Sequence, residues 1–296
     1  MYKYSFYIIA LLLLCSSCSL KQKRSVSEKQ CNDALAYLIE HINYGDSIER
    51  IHSTEFLLKL NYQKQVKDSL KYVLPKNNGY SKIDVCYWRV LVELDALNTK
   101  RSPWINHIQQ ALYNNNVEIR IAAAESLAKL GIIQKRWSWE EIKAIDNNRL
   151  RTFLQWSMAN ESPQRKQEVK NCFLSNLISP VNNEIKRLSA YALGTNFTLT
   201  SSEWLNVINA EHACTDSLLL KYYTWCAYCV APKKEENTNT FEETEQQLFK
   251  VCSLPDDAFL IFSALAKHAT SNVLPYVNDY LKKHANNGCL GGNLSA

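Results

Sequence analysis

The sequence predicts an all-α fold, and three features of the chain lead to that prediction. Glycine and proline are scarce, with 7 of each among 296 residues, where average usage gives roughly 12% of the chain. Tight turns and hairpins need these residues, so the composition disfavours an all-β fold. Beyond Ser27 the apolar residues recur at i, i+3, i+4 and i+7, which places them on one face of a helix. Similar segments also recur about every 35 residues, as expected for repeated helix pairs.

The first 17 residues have the pattern of a secretory signal peptide. Lys3 precedes an apolar run over residues 6–14, and the small residues Ser16 and Ser17 follow that run. The run is too short for a membrane-spanning helix, which needs about 20 residues. We therefore expect residues 1–17 to be removed on export.

The end of this segment resembles the lipobox of bacterial lipoproteins, in which a signal peptidase cuts before a cysteine that then carries lipid. Cys18 is the matching position, and Cys15 stands where the family usually has leucine. The resemblance implies that Cys18 is lipidated and that its acyl chains anchor the protein to a membrane. Two acyl chains give stable anchoring where one is marginal.

Residues 18–27 then form a lipidated basic tether that contains Lys21, Lys23 and Arg24. Ser19, and not Asp, follows the cysteine. By resemblance to the sorting rule of enteric bacteria, this implies the outer membrane. Surface-displayed lipoproteins often carry an acidic stretch here, so a basic tether implies the side that faces the periplasm. A solvated, disordered tether is the alternative reading of the same residues.

The positive charge of the chain is concentrated at its N-terminus. The formal net charge is +5, and residues 1–30 hold five cations against one acid. The remainder is nearly neutral, which disfavours a nucleic-acid partner because DNA and RNA binding depend on many cations.

Residues typical of helix starts and helix ends occur throughout the rest of the chain. Ser102 and Ser162 each precede a proline, the pattern of a capping residue before the first helical position. The segments Ser138–Glu141 and Thr240–Glu243 have the pattern of capping boxes. Four glycines lie where apolar-periodic stretches end, and there we predict that helices stop: Gly45, Gly79, Gly131 and Gly194.

The segment Ile119–Gly131 resembles the second helix of a HEAT-like repeat. An aliphatic and a basic residue open it, small residues fill its middle, and Leu and Gly close it. Ile185–Gly194 repeats the pattern 66 positions later. Weaker copies give a series of anchor positions that step by 35, 36, 31, 35, 35 and 38 residues: 48, 83, 119, 150, 185, 220 and 258.

The resemblance implies a right-handed α-solenoid of about seven HEAT-like helix pairs over residues 28–285, followed by a flexible tail over residues 286–296. In such a stack each helix pair exposes an apolar face that only its neighbours bury. An ordinary all-α globular bundle is the alternative.

Four consecutive repeats carry a cation directly after the anchor: Arg120, Arg151, Lys186 and Lys221. Each cation follows a turn rich in Asn or Asp. They form either a basic stripe that binds an acidic partner or a structural ladder. In the ladder each cation bonds carbonyl groups and Asn or Asp side chains of neighbouring turns, so that no charge is left unpaired.

One His and Cys cluster is a weak candidate for metal binding. His212 and Cys214 precede Cys226 and Cys229, and the last two share a helix face. Together they have the ligand types of a Cys3His zinc site. The alternatives are a disulfide or plain packing, since most of the cysteines lie in apolar helical stretches where a free thiol behaves as a small hydrophobe.

The remaining motifs favour a protein without catalytic activity. The chain has no HExxH, GxSxG, P-loop or GxGxxG motif. Trp88, Trp156 and Trp225 lie near the middle of predicted second helices, where they are expected in the core. We expect no cofactor, and we expect a lipid-anchored, periplasm-facing scaffold whose solenoid face binds a protein or peptide. An immunity or inhibitor lipoprotein that neutralises a toxin is the second hypothesis, and a zinc-binding or enzymatic protein is the third.

Overall fold

A computed structural model describes residues 28–70, 80–95, 102–236, 238–268 and 274–284. These residues form 15 α-helices and two short 3-10 turns, and they contain no strand. The predicted all-α class is thus confirmed. The predicted signal peptide, the tether with Cys18 and the tail over 286–296 lie outside the described residues.

The chain divides into two compact units. The central unit is Asp46–Phe197, and the terminal unit joins Met1–Gly45 to Thr198–Ala296. The helices of the central unit are α2 (Ser47–Lys59), α3 (Gln63–Leu70), α4 (Lys82–Leu94), α5 (Pro103–Ala111), α6 (Val117–Lys129), α7 (Trp139–Lys143), α8 (Asn148–Met158), α9 (Pro163–Ile178) and α10 (Asn183–Asn196). Those of the terminal unit are α1 (Glu28–Tyr44), α11 (Ser201–His212), α12 (Ser217–Cys229), α13 (Asn239–Val251), α14 (Ala258–His268) and α15 (Leu274–His284).

Side-chain caps explain most of the helix starts. Ser138 forms the predicted capping box with Glu141 at the start of α7, and Ser162 caps α9 ahead of its proline. The capping box predicted at Thr240 is wrong, because Thr238 accepts the bond from the Phe241 amide and α13 starts earlier. Ser102 makes no cap bond; its hydroxyl donates instead to the Asp95 carboxylate at 2.8 Å.

Of the four glycines at which helix ends were predicted, two lie just beyond a helix. Gly131 follows α6 with φ +67, the left-handed conformation that a helix-ending glycine supplies. Gly45 comes directly after α1. Gly194 lies inside α10, which continues to Asn196, so the helix end predicted there is wrong. Gly79 lies outside the described residues.

The central unit consists of two layers of helices. The helices α2, α4, α6, α8 and α10 contact one another in series. The helices α3, α5 and α9 each pack against the two members of this series that flank them, and α7 packs against α8. Ala122, Ala123 and Ala190 are buried, as expected of small residues that let helices approach closely.

The serial helices α6, α8 and α10 of the central unit start side by side, as the bonds between their first turns show. An Arg149 guanidinium nitrogen at the start of α8 lies 3.3 Å from Glu118 at the start of α6. The Asn148 amide donates to Glu184 at the start of α10 at 3.1 Å. Side chains at equivalent positions of these helices are therefore neighbours.

The terminal unit packs around α12, which contacts α11, α13 and α14. Two indole groups fix these contacts. Trp204 of α11 donates to the Ala227 carbonyl at 2.8 Å, and Trp225 of α12 donates to the Ser263 hydroxyl of α14 at 2.9 Å. Both rings are buried, so the unit has its own aromatic core.

Candidate functional site

One register position of the central unit carries a row of large polar and aromatic side chains. Arg89, Glu125, Trp156 and Tyr191 each lie six residues beyond the anchor of their repeat. They belong to α4, α6, α8 and α10, which are consecutive members of the serial layer. Because these helices contact one another in series, the four side chains follow one another across the layer. We call these four residues, together with Glu55 and Lys129, the charged row.

A buried ion pair forms the first end of the charged row. The Arg89 guanidinium of α4 donates to the Glu55 carboxylate of α2, and His52 Nδ1 lies 3.2 Å from the other oxygen of Glu55. Arg89 is 4% exposed, and its Nε is buried without a hydrogen-bond partner. Burial of a charged donor is costly unless it is paired, so the bond to Glu55 holds Arg89 in place.

A second ion pair lies two helices further on. Lys129 Nζ is 2.6 Å from Glu125 Oε1, and their side chains are 22% and 25% exposed. The Tyr191 hydroxyl of α10 donates to the same carboxylate at 3.2 Å. Lys129 Nζ also lies 5.4 Å from the centre of the Tyr191 ring, within the range of a cation–π contact. Glu125 is thus held by two donors from two different helices.

Tyr191 reaches across α8 to make this bond. Its ring meets Trp156 edge-on at 6.0 Å between centres, and it meets Phe153 at 6.5 Å. Both of these residues belong to α8, which contacts α6 on one side and α10 on the other. Tyr191 therefore covers Trp156 while its hydroxyl bonds to α6.

The electrostatics keep both pairs ionised at neutral pH. Burial opposes the charge of Glu55, but the Arg89 guanidinium and the His52 hydrogen bond outweigh it and hold the pKa of Glu55 well below its usual value. The pKa of Glu125 is likewise lowered, because Lys129 and Arg89 outweigh burial. Burial raises the pKa of Tyr191 to about 12, so its hydroxyl is a neutral donor. The row presents fixed charges and exchanges no proton near pH 7.

The four repeat cations do not share one arrangement. Arg151 donates to the Ile145 carbonyl at 2.6 Å and to the Asn148 side chain at 2.7 Å. Lys221, in the terminal unit, donates to both oxygens of Asp257 at 2.8 Å. Ile145 lies in the turn before α8, Asn148 is the first residue of α8, and Asp257 lies in a short 3-10 turn. Such partners are the ones that the structural-ladder interpretation expects.

Arg120 and Lys186 differ from those two. The Nε of Arg120 is buried without a hydrogen-bond partner, and Lys186 has no ion pair within the described ranges. Arg151, which lies between these two in the series, is bonded to its own turn, so the four cations do not repeat one set of contacts.

The predicted zinc ligands are not brought together. Among the described residues, no group of three or more His, Cys, Asp or Glu side chains is placed to hold a metal ion. Cys226 and Cys229 are buried, whereas His212 is exposed, and Cys214 donates weakly to the Asp216 carbonyl at 3.5 Å. The helix face shared by Cys226 and Cys229 points into the core, which removes the metal-site interpretation.

Burial makes two of the described thiols unsuited to nucleophilic chemistry. The six described thiols are free, with no disulfide among them. Burial raises the pKa of the Cys229 thiol to about 12, and burial also raises the pKa of Cys86 beside the charged row. The thiols of Cys86 and Cys229 therefore stay protonated at neutral pH, and the thiolate is the reactive form.

The charged row was not among the sites predicted from the sequence. The available signal was its register, since Arg89 and Glu125 occupy the position that holds the buried Trp156 and the half-buried Tyr191 in the next two repeats. A charge at a core position of a repeat needs a partner from a neighbouring repeat.

Comparison with protein-family models, curated proteins and solved structures finds no match for this chain. Within the described ranges, no helix has both the length and the apolar character needed to cross a bilayer.

Proposed function

We propose that this chain is a HEAT-like helical-repeat scaffold, lipid-anchored through Cys18, which binds a protein or peptide along the serial helices of its central unit. The observation that carries the proposal is the charged row. It offers ionised and partly exposed groups whose positions are fixed before any partner arrives, and preorganisation lowers the entropic cost of binding.

Contacts at the repeat spacing support the solenoid part of the proposal. Glu118 and Arg149 are separated by 31 residues, which equals the step between anchors 119 and 150. Trp225 and Ser263 are separated by 38 residues, which equals the step between anchors 220 and 258. Each pair joins equivalent positions of two consecutive repeats, which is how helix pairs meet in a stack.

The partner is expected to bring groups of both signs. Glu55 and Glu125 keep part of their surface accessible, and so does Lys129. Since each of these groups is already paired, its charge adds little to the affinity for a partner. The charges instead determine how a partner aligns and which partner binds, because placing like charges opposite each other costs free energy.

The membrane location is argued from the sequence. The lipobox around Cys18 supports lipidation, Ser19 after it supports an outer-membrane address, and the basic tether supports the side that faces the periplasm. Lys21, Lys23 and Arg24 add attraction to an anionic membrane surface, about 1 kcal/mol each.

Site-specific photocrosslinking tests the binding face. A photoreactive amino acid at His52, beside Glu55, is expected to give a discrete crosslinked product in envelope preparations. The same probe at Lys166, exposed on α9 in the other layer, is the matched control. Equal products from both positions, or none from His52, would contradict the proposed face.

Metabolic labelling with palmitate tests the anchor separately. We expect incorporation into the wild type and into Cys15→Ala, and none into Cys18→Ala, which should also leave the membrane fraction. Labelling that persists in Cys18→Ala would refute lipidation at this position.

A further inference from the structure

A histidine at the end of α14 contacts two other segments of the terminal unit. His268 Nδ1 lies 2.8 Å from Glu236 Oε1, and Glu236 belongs to the segment between α12 and α13. His268 Nε2 lies 3.2 Å from the carbonyl oxygen of Cys229, the last residue of α12. We call the His268 ring, the Glu236 carboxylate and the Cys229 carbonyl the histidine clamp. It shares no residue with the charged row.

The Cys229 carbonyl depends on His268 for its hydrogen bond. It lies in the last turn of α12, where carbonyl groups lack an amide partner within the helix. Pro232, three residues further along the chain, has no N–H to donate. Among the described residues, no backbone N–H reaches this carbonyl. The imidazole is therefore its donor, and the negative end of a helix dipole favours a cation at this place.

Both contacts together require two protons between His268 and Glu236. A carbonyl oxygen only accepts, so Nε2 must carry a proton to bond to Cys229. The bond between Nδ1 and Glu236 needs a second proton, which lies on the nitrogen or on the carboxyl oxygen. A neutral imidazole beside an ionised carboxylate holds only one proton. The clamp is therefore complete only when the pair has bound one more.

Aromatic side chains surround the His268 ring. Tyr228 of α12 and Phe241 of α13 meet it edge-on, at 5.9 and 6.0 Å between ring centres. The His268 side chain is 11% exposed. Because little water reaches the ring, an acceptor that loses its donor there is left without a partner, which costs free energy.

The acidic groups beside the clamp are Glu236 itself and Glu245 of α13. The Tyr228 hydroxyl lies 3.0 Å from Glu245 Oε1 and 2.9 Å from the His268 carbonyl oxygen. Burial raises the pKa of Tyr228, so this hydroxyl is neutral. The Glu236 side chain is 34% exposed, and it is the carboxylate that touches the ring.

The cations of the elements packed here are exposed lysines. Lys267 precedes the clamp histidine on α14, and Lys233 and Lys234 lie in the 3-10 turn between α12 and α13. The Cys229 thiol is neutral, because burial raises its pKa to about 12. Residues 269–273, which follow α14, have no ionisable side chain. Within the described ranges, the clamp carboxylate is thus the one ionised group in contact with the ring.

We propose that the histidine clamp is a pH-sensitive device that fixes residues 230–236 to the end of α14. When the pair binds its extra proton, both contacts form. When it releases that proton, one contact is lost and the segment loosens. Histidine side chains change charge between about pH 5 and 8, so a rise in pH across this range opens the clamp. The device lies in the terminal unit and goes beyond the scaffold function proposed for the central unit.

Hydrogen exchange of the purified full chain tests the proposal. It is followed by mass spectrometry at about pH 5 and about pH 8, and it is corrected for the intrinsic exchange rate at each pH. The readout is the protection of the amides in residues 230–236. In the wild type we expect this protection to be roughly fivefold lower at the higher pH, which matches the usual effect of a cation at the end of a helix.

Two variants distinguish the clamp from an ordinary ion pair. His268→Gln does not titrate, so its protection is expected to be equal at both pH values. In Glu236→Gln the amide can donate to an unprotonated Nδ1 or accept from a protonated one, so both contacts form in either state. We therefore expect this variant to remain protected at the higher pH, where the wild type loses protection.

His212→Gln is the matched control, because His212 is an exposed histidine at the end of α11 in the same unit. It is expected to keep the pH dependence of the wild type, and circular dichroism confirms that each variant is folded. Equal protection of the wild-type segment at both pH values overturns the proposal. A pH dependence that persists in His268→Gln, or protection lost at both pH values in Glu236→Gln, also overturns it.

Discussion

Replacing Arg89 with methionine tests whether the buried pair of the charged row determines the stability of the central unit. The substitution keeps most of the side-chain volume and removes the cation, so Glu55 loses its main partner. Breaking one side of a buried ion pair costs about 3–5 kcal/mol. Glu55 is 17% exposed and keeps His52 nearby, so the expected loss is about 3 kcal/mol, at the lower end of that range.

The double variant Glu55→Met/Arg89→Met distinguishes the net contribution of the ion pair from the cost of leaving one buried charge unpaired. Replacing both partners by apolar groups removes the desolvation penalty along with the attraction, and such exchanges are often neutral or stabilising. We therefore expect the double variant to be more stable than Arg89→Met alone. Lys143→Met is the control, because its pair with Glu140 is exposed and exposed pairs contribute at most about 1 kcal/mol.

The assay is urea unfolding of the purified full chain, followed by far-ultraviolet circular dichroism. A loss below about 1 kcal/mol in Arg89→Met would refute the reasoning, since the pair would then behave as an exposed one. The reasoning would also be refuted if the double variant lost as much unfolding free energy as Arg89→Met and Glu55→Met lose together. The losses of independent sites add, whereas those of coupled sites do not.

The same variant predicts a weaker dependence of stability on the ionisation of Glu55. In the wild type the pKa of Glu55 is held low by Arg89 against burial, so its contribution is present above the unfolded value of about 4.3 and is lost as the pH falls. Without Arg89, only His52 and Lys129 oppose the effect of burial, so the pKa of Glu55 rises from its wild-type position. The variant then loses less stability than the wild type as the pH falls, and the gap between the two narrows in acid.

Three further predictions concern other parts of the structure. Tyr191→Phe is expected to cost about 1 kcal/mol for its hydrogen bond, and Tyr191→Ala about 3–5 kcal/mol, with a red shift of tryptophan fluorescence as Trp156 is uncovered. No loss of stability in Tyr191→Phe would contradict the bond to Glu125, and equal losses in the two variants would contradict the packing of the ring on Trp156. Gly131→Ala is expected to cost more than about 1 kcal/mol because of its positive φ, and Gly131→Asn less, by thermal unfolding. Native iodoacetamide labelling should modify Cys214 before the buried Cys229, and mass spectrometry would expose the opposite order.

The helical architecture was predictable because its signals are local. Apolar periodicity and capping residues act within one or two turns, and both Ser138 and Ser162 cap as predicted. Thr238 and Thr240 are both plausible caps by residue type; in the structure Thr238 accepts from the Phe241 amide, and Thr240 is already a residue of α13. Gly194 remains helical because α10 packs on α8 and α9, a tertiary contact that overrides the propensity of glycine to end a helix.

The charged row was less predictable because its partners are distant in sequence. Arg89 and Glu55 are 34 residues apart, and Tyr191 and Glu125 are 66 apart. No local pattern marks a charge as buried, and the repeat spacing becomes informative only when register is compared across several repeats. The zinc site at His212, Cys214, Cys226 and Cys229 was inferred from closeness along the chain, whereas the structure leaves His212 exposed and buries Cys226 and Cys229.

The reach of Tyr191 has a consequence for cooperativity. In a simple repeat array each unit senses only its immediate neighbours, so segments can melt one at a time from an end. The bond from Tyr191 to Glu125 joins α10 to α6 and passes over α8, which adds a second-neighbour coupling to the central unit. We therefore expect that fraying of α10 removes a bond from α6 as well as the contacts of α10 with α8 and α9.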